Sequence, residues 1–311
     1  MAKLKTIETA IQQVAKYIKD RKDGTVKSLR TGQKKLDSVM IDGIEWNSTV
    51  TIGGRPSVGK SAFSDILIDG CFENNLDENG KPTFDLLDFN WELSSRVMLI
   101  RRLSARMKKT YKYIISADNN ELTEEELEEA VQILMDQYGK LPIVFCEDPL
   151  TTKNFAEVVR KRVESTGRNT LIRVDHTLLA KKSASEAGQV EMLLNLLMEA
   201  NVLKKELPVI FMFLTQINRE FEVRQEDGSA NAYPKQGDVY GGDAAAMFSE
   251  TMILLNKPAK YGITMYGKRN AGGILVAEND LFAHIVKNRN AEGDNFIHYK
   301  EHFKHMSIRE Q

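Results

Sequence analysis

The sequence predicts an α/β fold built on a mostly parallel, twisted sheet with helices on both faces, and three observations carry that expectation. From residue 48 onward, short β-rich or apolar runs alternate with stretches of helical periodicity. The first of these runs, at 49–52, leads into a glycine-rich octet, and a helical pattern opens directly behind it at Ala62 and Phe63. A chain of 311 residues with 42% hydrophobic and 28% charged residues can bury a substantial core, which suits one large α/β domain with a short appendage.

Alternation places strands at 49–53, 84–89, 142–146, 170–175, 208–214, 251–255 and 282–287, and helices at 60–74, 94–107, 123–138, 152–165 and 188–206. Upstream, Ile7, Ala10, Ile11, Val14, Tyr17 and Ile18 recur at helical spacing among polar residues, so residues 6–21 read as an amphipathic helix that ends before Gly24. Its apolar stripe docks either on its own domain or on another body. Two stretches resist regular structure: the Lys, Ser and Ala-rich loop 181–188 and the polar, glycine-containing run 222–243. Loops of such length inside a domain are functional or disordered. His298, His302 and His305 would share a helix face as metal ligands do, but no carboxylate or Cys pairing accompanies them, and residues 298–311 read as a solvated tail.

The net charge of −1 supplies no global field for a polyanion, so any nucleic-acid contact rests on local patches. Cys71 and Cys146 are too few for a disulfide framework. The first residues show no apolar targeting segment and no run approaches a membrane span, so a cytoplasmic protein without a membrane partner is expected.

The octet Gly54, Arg55, Pro56, Ser57, Val58, Gly59, Lys60 and Ser61 fits G-x-x-x-x-G-K-[ST] in the strand, loop and helix setting that such a phosphate-binding loop requires. Its glycines let backbone N–H groups close around phosphates, and the helix start behind it adds partial positive charge. Lys60 then reaches the β- and γ-phosphates of a nucleoside triphosphate, and the Ser61 hydroxyl ligates Mg²⁺. Downstream, the apolar strand at 171–174 ends in Asp175, a layout that delivers a carboxylate to the same ion.

The octet with Ala62 and Phe63 is the first of five motifs that occur in order. The others are Asn90-Trp91-Glu92-Leu93-Ser94, Val174-Asp175-His176, the run 214–219 beginning Leu214-Thr215-Gln216, and Val286-Lys287-Asn288-Arg289-Asn290. In this the chain resembles the DnaB-type replicative helicases, from about Thr31 to about Asn295. The resemblance implies a RecA-like ATPase domain over 31–297, preceded over 1–30 by a linker helix that docks on a neighbouring subunit. It implies ATP and Mg²⁺ as cofactors. Glu92 becomes the carboxylate that orients the attacking water, Gln216 a sensor of the γ-phosphate, and Lys287 with Arg289 a pair supplied in trans to the neighbour's nucleotide. Arg101 matches a further phosphate contact or is a helix-surface cation.

Completion in trans implies an oligomer, and the family forms hexameric rings around single-stranded DNA. The DNA loops correspond to 181–188, with Lys181 and Lys182, and to 237–243, with Tyr240, Gly241, Gly242 and Asp243. The second loop departs from the family pattern because its cationic residue is missing; Tyr240 either stacks on a base or packs inward. The family's N-terminal domain has no counterpart here, so the chain reads as a minimal helicase that relies on a separate loader and primase. A RecA-like recombinase filament, or an ATPase without DNA activity, would share the loop and Asp175. Glu92 and the triplet Lys287-Asn288-Arg289 favour the helicase.

Overall fold

The computed structural model describes residues 4–118, 121–226, 233–267, 273–291, 293 and 295–311. In chain order the elements are α1 (Ile7–Lys22), α2 (Lys34–Val39), β1 (Ser48–Gly54), α3 (Lys60–Asn74), β2 (Asp85–Asn90), α4 (Ser95–Met107), α5 (Tyr111–Ile115), α6 (Glu124–Ile133), β3 (Ile143–Cys146), α7 (Thr152–Thr166) and β4 (Thr170–Asp175). There follow α8 (Gln189–Glu206), β5 (Val209–Gln216), α9 (Glu220–Glu226), α10 (Gly242–Phe248), β6 (Thr251–Asn256), the small hairpin β7 (Met265–Tyr266) and β8 (Ile274–Leu275), then β9 (Asp280–Asn288), β10 (Asn295–His302) and β11 (Ser307–Glu310). A nine-stranded sheet has the order β11-β10-β9-β6-β1-β5-β4-β2-β3. Its strands from β3 to β6 pair in parallel, whereas β9, β10 and β11 pair antiparallel.

The parallel strands read as continuous apolar runs because both faces are covered, and the alternation survives inside them. In β5, Ile210, Met212 and Leu214 face the core shared with Phe63 and Leu67 of α3, while Phe211 and Phe213 face the opposite core with Phe155 of α7 and Leu196 of α8. Helix starts follow capping chemistry: the side chains of Ser94, Thr123 and Thr151 accept the Val97, Glu126 and Asn154 amides, and Gly167 ends α7 at positive φ. Helix α1 carries no buried residue, and Ile7, Ile11, Val14 and Ile18 stand exposed.

Three expectations need correction. Residues 298–311 are not a solvated tail: they complete β10 and form β11, with Tyr299 and Ile308 buried. The apolar residues Ile297, Tyr299 and Ile308 sit among His, Lys and Glu side chains that cover the exposed face, which hid a strand period of two. His298 and His302 therefore do not share a helix face with His305; His298 meets Asp280 at 2.7 Å, and among the described residues no cluster of three His, Cys, Asp or Glu forms a metal site. Residue 30 is not the start of the domain, since Leu29 pairs with Ile44 and lies in the core. The run 222–243 is only partly irregular, because α9 and the start of α10 lie within it; Gly228 falls outside the described residues. Among the described residues no helix is long and apolar enough to cross a membrane.

Candidate nucleotide-binding site

The octet occupies the turn from β1 into α3. Gly54 ends the strand, Pro56 and Ser57 form an exposed crown, and Val58 anchors the loop in the core. Ser57 at φ 60° and Gly59 at φ 99° turn the backbone so that successive N–H groups face one concavity, as an anion-binding loop requires. Lys60 folds back across it, its Nζ donating to the carbonyls of Gly54 at 3.1 Å and Arg55 at 3.4 Å. Burial draws the Lys60 ammonium below its usual pKa, against the pull of the Asp175 and Glu92 carboxylates. Arg55 is committed elsewhere, donating to the Ile217 carbonyl and to Glu222 at 2.8 Å each.

Register brings the acids to the same end. Gly54 pairs with Gln216 across β1 and β5, and Asn90 pairs with Asp175 across β2 and β4. The Asp175 carbonyl accepts the amides of Trp91 at 2.7 Å and Glu92 at 3.3 Å, so the exposed Glu92 side chain leaves from a fixed backbone beside the loop. Ser61 Oγ donates to Asp175 Oδ2 at 2.7 Å, while Oδ1 is buried with no hydrogen-bond partner. Burial pushes the Asp175 carboxyl up to about 6, opposed by Arg173 and Ser61. An orphaned carboxylate oxygen beside a serine hydroxyl is the pair of hard oxygen donors that Mg²⁺ takes at a phosphate site, so these residues fit the ion.

Gln216 continues into a second structure. Its carbonyl accepts the Tyr240 amide at 2.9 Å, Ile217 bridges to Val239, and the Asn218 amide reaches the Asp238 carbonyl at 2.6 Å. The segment around Tyr240 is thereby zipped to the strand end beside the phosphate loop. Tyr240 is half-buried against the core on the α8 face, and Gly241, at φ 72°, opens α10; the Asp243 side chain lies outside the described residues. Lys181 and Lys182 are exposed on their loop. Arg101 lies on α4 in a cleft with Ala62 and Ile66 of α3, and does not reach the phosphate loop by any hydrogen bond among the described residues.

Lys287 and Arg289 stand apart from everything above. Strand β9 runs antiparallel to β6, so its start lies level with the phosphate loop and its end at the opposite edge: Thr251 pairs with Asn288 while Leu255 pairs with both Gly54 and Ala283. Lys287 donates to the Ala246 carbonyl, and Arg289 to the Met247 carbonyl at 3.0 Å with Glu250 3.5 Å away. At about 3.3 Å per residue, four strand positions put them ~13 Å or more from this chain's own loop.

Sequence reading missed an ion cluster beneath the site. Arg173, in the middle of β4, is 0% exposed; it donates to Asp88 of β2 at 2.8 and 2.6 Å, and to Ser64 and Asp65 of α3 at 2.9 and 2.6 Å. Asp65 also meets Arg102 of α4, whose NH1 lies 2.8 Å from Asp69. Burial alone would raise the Asp65 carboxyl, but Arg173 and Arg102 more than reverse this and hold it below its usual value. The available signal was an arginine inside an apolar run facing an Asp on the neighbouring strand, because buried charges come paired.

The sequence profile described as DnaB-like helicase C terminal domain matches residues 28–307. The replicative DNA helicases DnaB of Buchnera aphidicola subsp. Acyrthosiphon pisum and Haemophilus influenzae are each 23% identical, over 73% and 74% of this chain; the chain spans about half the length of these curated relatives, 47% in each case. Among solved structures, one of an isolated ATPase domain superposes with a TM-score of 0.79 at 16% identity, covering 99% of this chain and 100% of that one. A DnaB-like replicative helicase, from a structure describing its interactions with primase, gives 0.77 at 15% identity over 99% of this chain and 67% of that one. A KaiC-like protein from Pyrococcus horikoshii gives 0.56 at 14% identity, over 92% of this chain and 99% of that one. The RecA-like ATPase fold is common to these structures, and the profile, which extends over nearly the whole sequence, makes this chain a member of the DnaB-like helicase C-terminal domain family.

Proposed function

We propose that this chain is the ATP-hydrolysing motor of a replicative helicase, which assembles as a ring, moves along single-stranded DNA and separates the duplex ahead of it. The observation that carries the reading is the division of the sheet into two ends. Lys60, Ser61, Glu92, Asp175 and Gln216 converge at one end, and Lys287 with Arg289 project from the other. A site that needs both sets is made only between two copies.

In such a site the loop amides and Lys60 hold the β- and γ-phosphates of ATP. Mg²⁺ held by Ser61 and Asp175 would neutralise charge on the phosphate oxygens. Glu92 accepts a hydrogen bond from the attacking water and aligns it with the γ-phosphorus. Arg289 of the adjoining copy stabilises charge spreading onto the transferred phosphoryl group, and Lys287 reinforces it. Gln216 contacts the γ-phosphate, and loss of that contact relaxes the backbone bonds from residues 216–218 to 238–240. The loops containing Tyr240 and Lys181 grip the DNA backbone without reading bases, as a tracking motor requires. Helix α1, with its exposed apolar stripe, docks on the next protomer. A primase and a loader are the partners such a motor would serve.

The test is ATP hydrolysis with and without single-stranded DNA, alongside unwinding of forks tailed on either strand. Stimulation by DNA and unwinding of one tailed fork are expected. Hydrolysis indifferent to DNA at low salt would overturn the motor reading.

A further inference from the structure

We propose that the turn after β10, residues 303–306, together with Arg101 of α4, forms the subsite for the nucleobase of the bound nucleoside triphosphate. The proposal rests on the reading of residues 54–61 as the triphosphate loop and adds where the rest of the ligand goes.

Sheet order fixes the direction. Asp175, Glu92 and Gln216 follow β4, β2 and β5, all on one side of β1, so the γ-phosphate points to that side. The nucleoside must leave past the start of α3 on the other side, where β6, β9 and β10 lie. That side is not open surface. A Cβ built on Gly59 would lie 2.2 Å from the ring tip of Phe303, so the ring rests against the loop and only glycine leaves room for it. Lys260 donates to the Ser57 carbonyl at 2.9 Å from the same side.

The turn is held firmly. Glu301 pairs with Lys257 through one carboxylate oxygen and accepts the Phe303 amide at 2.7 Å through the other, and the Lys257 ammonium lies 4.9 Å from the Phe303 ring centre. Met306, three residues on, lines a cleft with Ala62 and Ile66 of α3 and with Arg101 and Ala105 of α4. A ligand whose α-phosphate lies at Ala62 therefore meets an aromatic ring, a thioether and a guanidinium before it meets water.

This set offers flat apolar contact and cation–π attraction, with no fixed donor and acceptor pair to read a base edge. The ligand class is a nucleobase bound by its face, purines ahead of pyrimidines for their larger area, with adenine and guanine nearly equal. Arg101 then belongs to the nucleoside end of the site, not to the phosphates.

Binding of Mg²⁺·ATP, Mg²⁺·GTP and inorganic tripolyphosphate to the full chain and to Phe303→Ala, Phe303→Tyr and Arg101→Ala, by calorimetry, tests this. Base stacking on an aromatic side chain predicts that Phe303→Ala weakens ATP and GTP alike by ~10-fold, with tripolyphosphate unchanged and Phe303→Tyr close to wild type. Arg101→Ala, at a part-exposed position that leaves the loop packing intact, is expected to weaken ATP several-fold and tripolyphosphate not at all. Equal weakening of ATP and tripolyphosphate would show that these residues merely prop the loop, and unchanged ATP binding in both Phe303→Ala and Arg101→Ala would show no base contact; either overturns the proposal. Failure of the wild type to bind tripolyphosphate or ATP would overturn the phosphate-loop reading, and this subsite with it.

Discussion

The two wings of the sheet are built differently. The parallel wing, β3 to β6 around β1, is apolar on both faces, rests on the buried Arg173 cluster, and ends its strands in Asn90, Asp175 and Gln216 at one edge. The antiparallel wing, β9 to β11, alternates buried and exposed residues, and its hairpin offers groups at both ends: Phe303 beside this chain's phosphate loop, Lys287 and Arg289 at the far edge. Antiparallel pairing alone produces this, since one hairpin returns to the edge it started from while a parallel strand does not. On the functions proposed above, the parallel wing supplies the chemistry of one nucleotide site, and the antiparallel wing touches two sites at once, its own and a neighbour's.

The largest break in that comparison comes from Arg289→Ala. Arg289 is half-exposed, so the fold should persist, while turnover falls by ~10³-fold or more if it acts as a finger in trans. A fall below tenfold in steady-state hydrolysis would detach the far edge from the chemistry. Glu92→Gln in the parallel wing is expected to lower kcat by ~10² to 10⁴ with ATP binding retained, read by single-turnover hydrolysis. Near-normal turnover would reassign the water-orienting residue.

Arg173→Met sharpens the comparison on the side of stability. It leaves Asp88 and Asp65 buried without their main partner and should cost about 3–5 kcal/mol in urea unfolding. Adding Asp88→Leu removes one stranded charge and should recover part of the loss; a double variant weaker than the single would contradict the cluster's energetics.

The smallest effect lies in the antiparallel wing. Buried His284 is held neutral, its pKa drawn down to about 3, with Tyr266 hydrogen-bonded to its Nε2 at 2.7 Å. Above pH ~6.5 the histidine is neutral whether the chain is folded or unfolded; below that the unfolded chain gains the proton first. Stability should therefore fall as pH drops from about 6.5 toward 3, and His284→Gln should show the shallower decline in unfolding midpoints. Identical slopes would remove His284 from the pH dependence.

The same contrast explains what the sequence disclosed. Strands buried on both faces are written as unbroken runs such as Val209–Gln216, and the octet, Asp175 and Glu92 sit where strand ends must place them. The wing with one wet face was harder: in β10 the buried Ile297 and Tyr299 are separated by His298 and followed by charged residues, and the segment passed for a tail. Phe303 was invisible for a further reason. Its meaning comes from contact with Gly59, far away in the chain, and no local pattern encodes that. Arg173 was legible in principle, but a single cation in an apolar strand identifies no partner until Asp88 and Asp65 are brought beside it.

The most direct test of shared sites mixes two inactive chains, Lys60→Ala and Arg289→Ala, and measures ATP hydrolysis. If each nucleotide lies between protomers, about one interface in four of a randomly mixed ring pairs an intact Lys60 with an intact Arg289, and activity returns. If each chain completes its own site, the mixture stays as inactive as its components, and the account of a motor assembled across the subunit boundary is wrong.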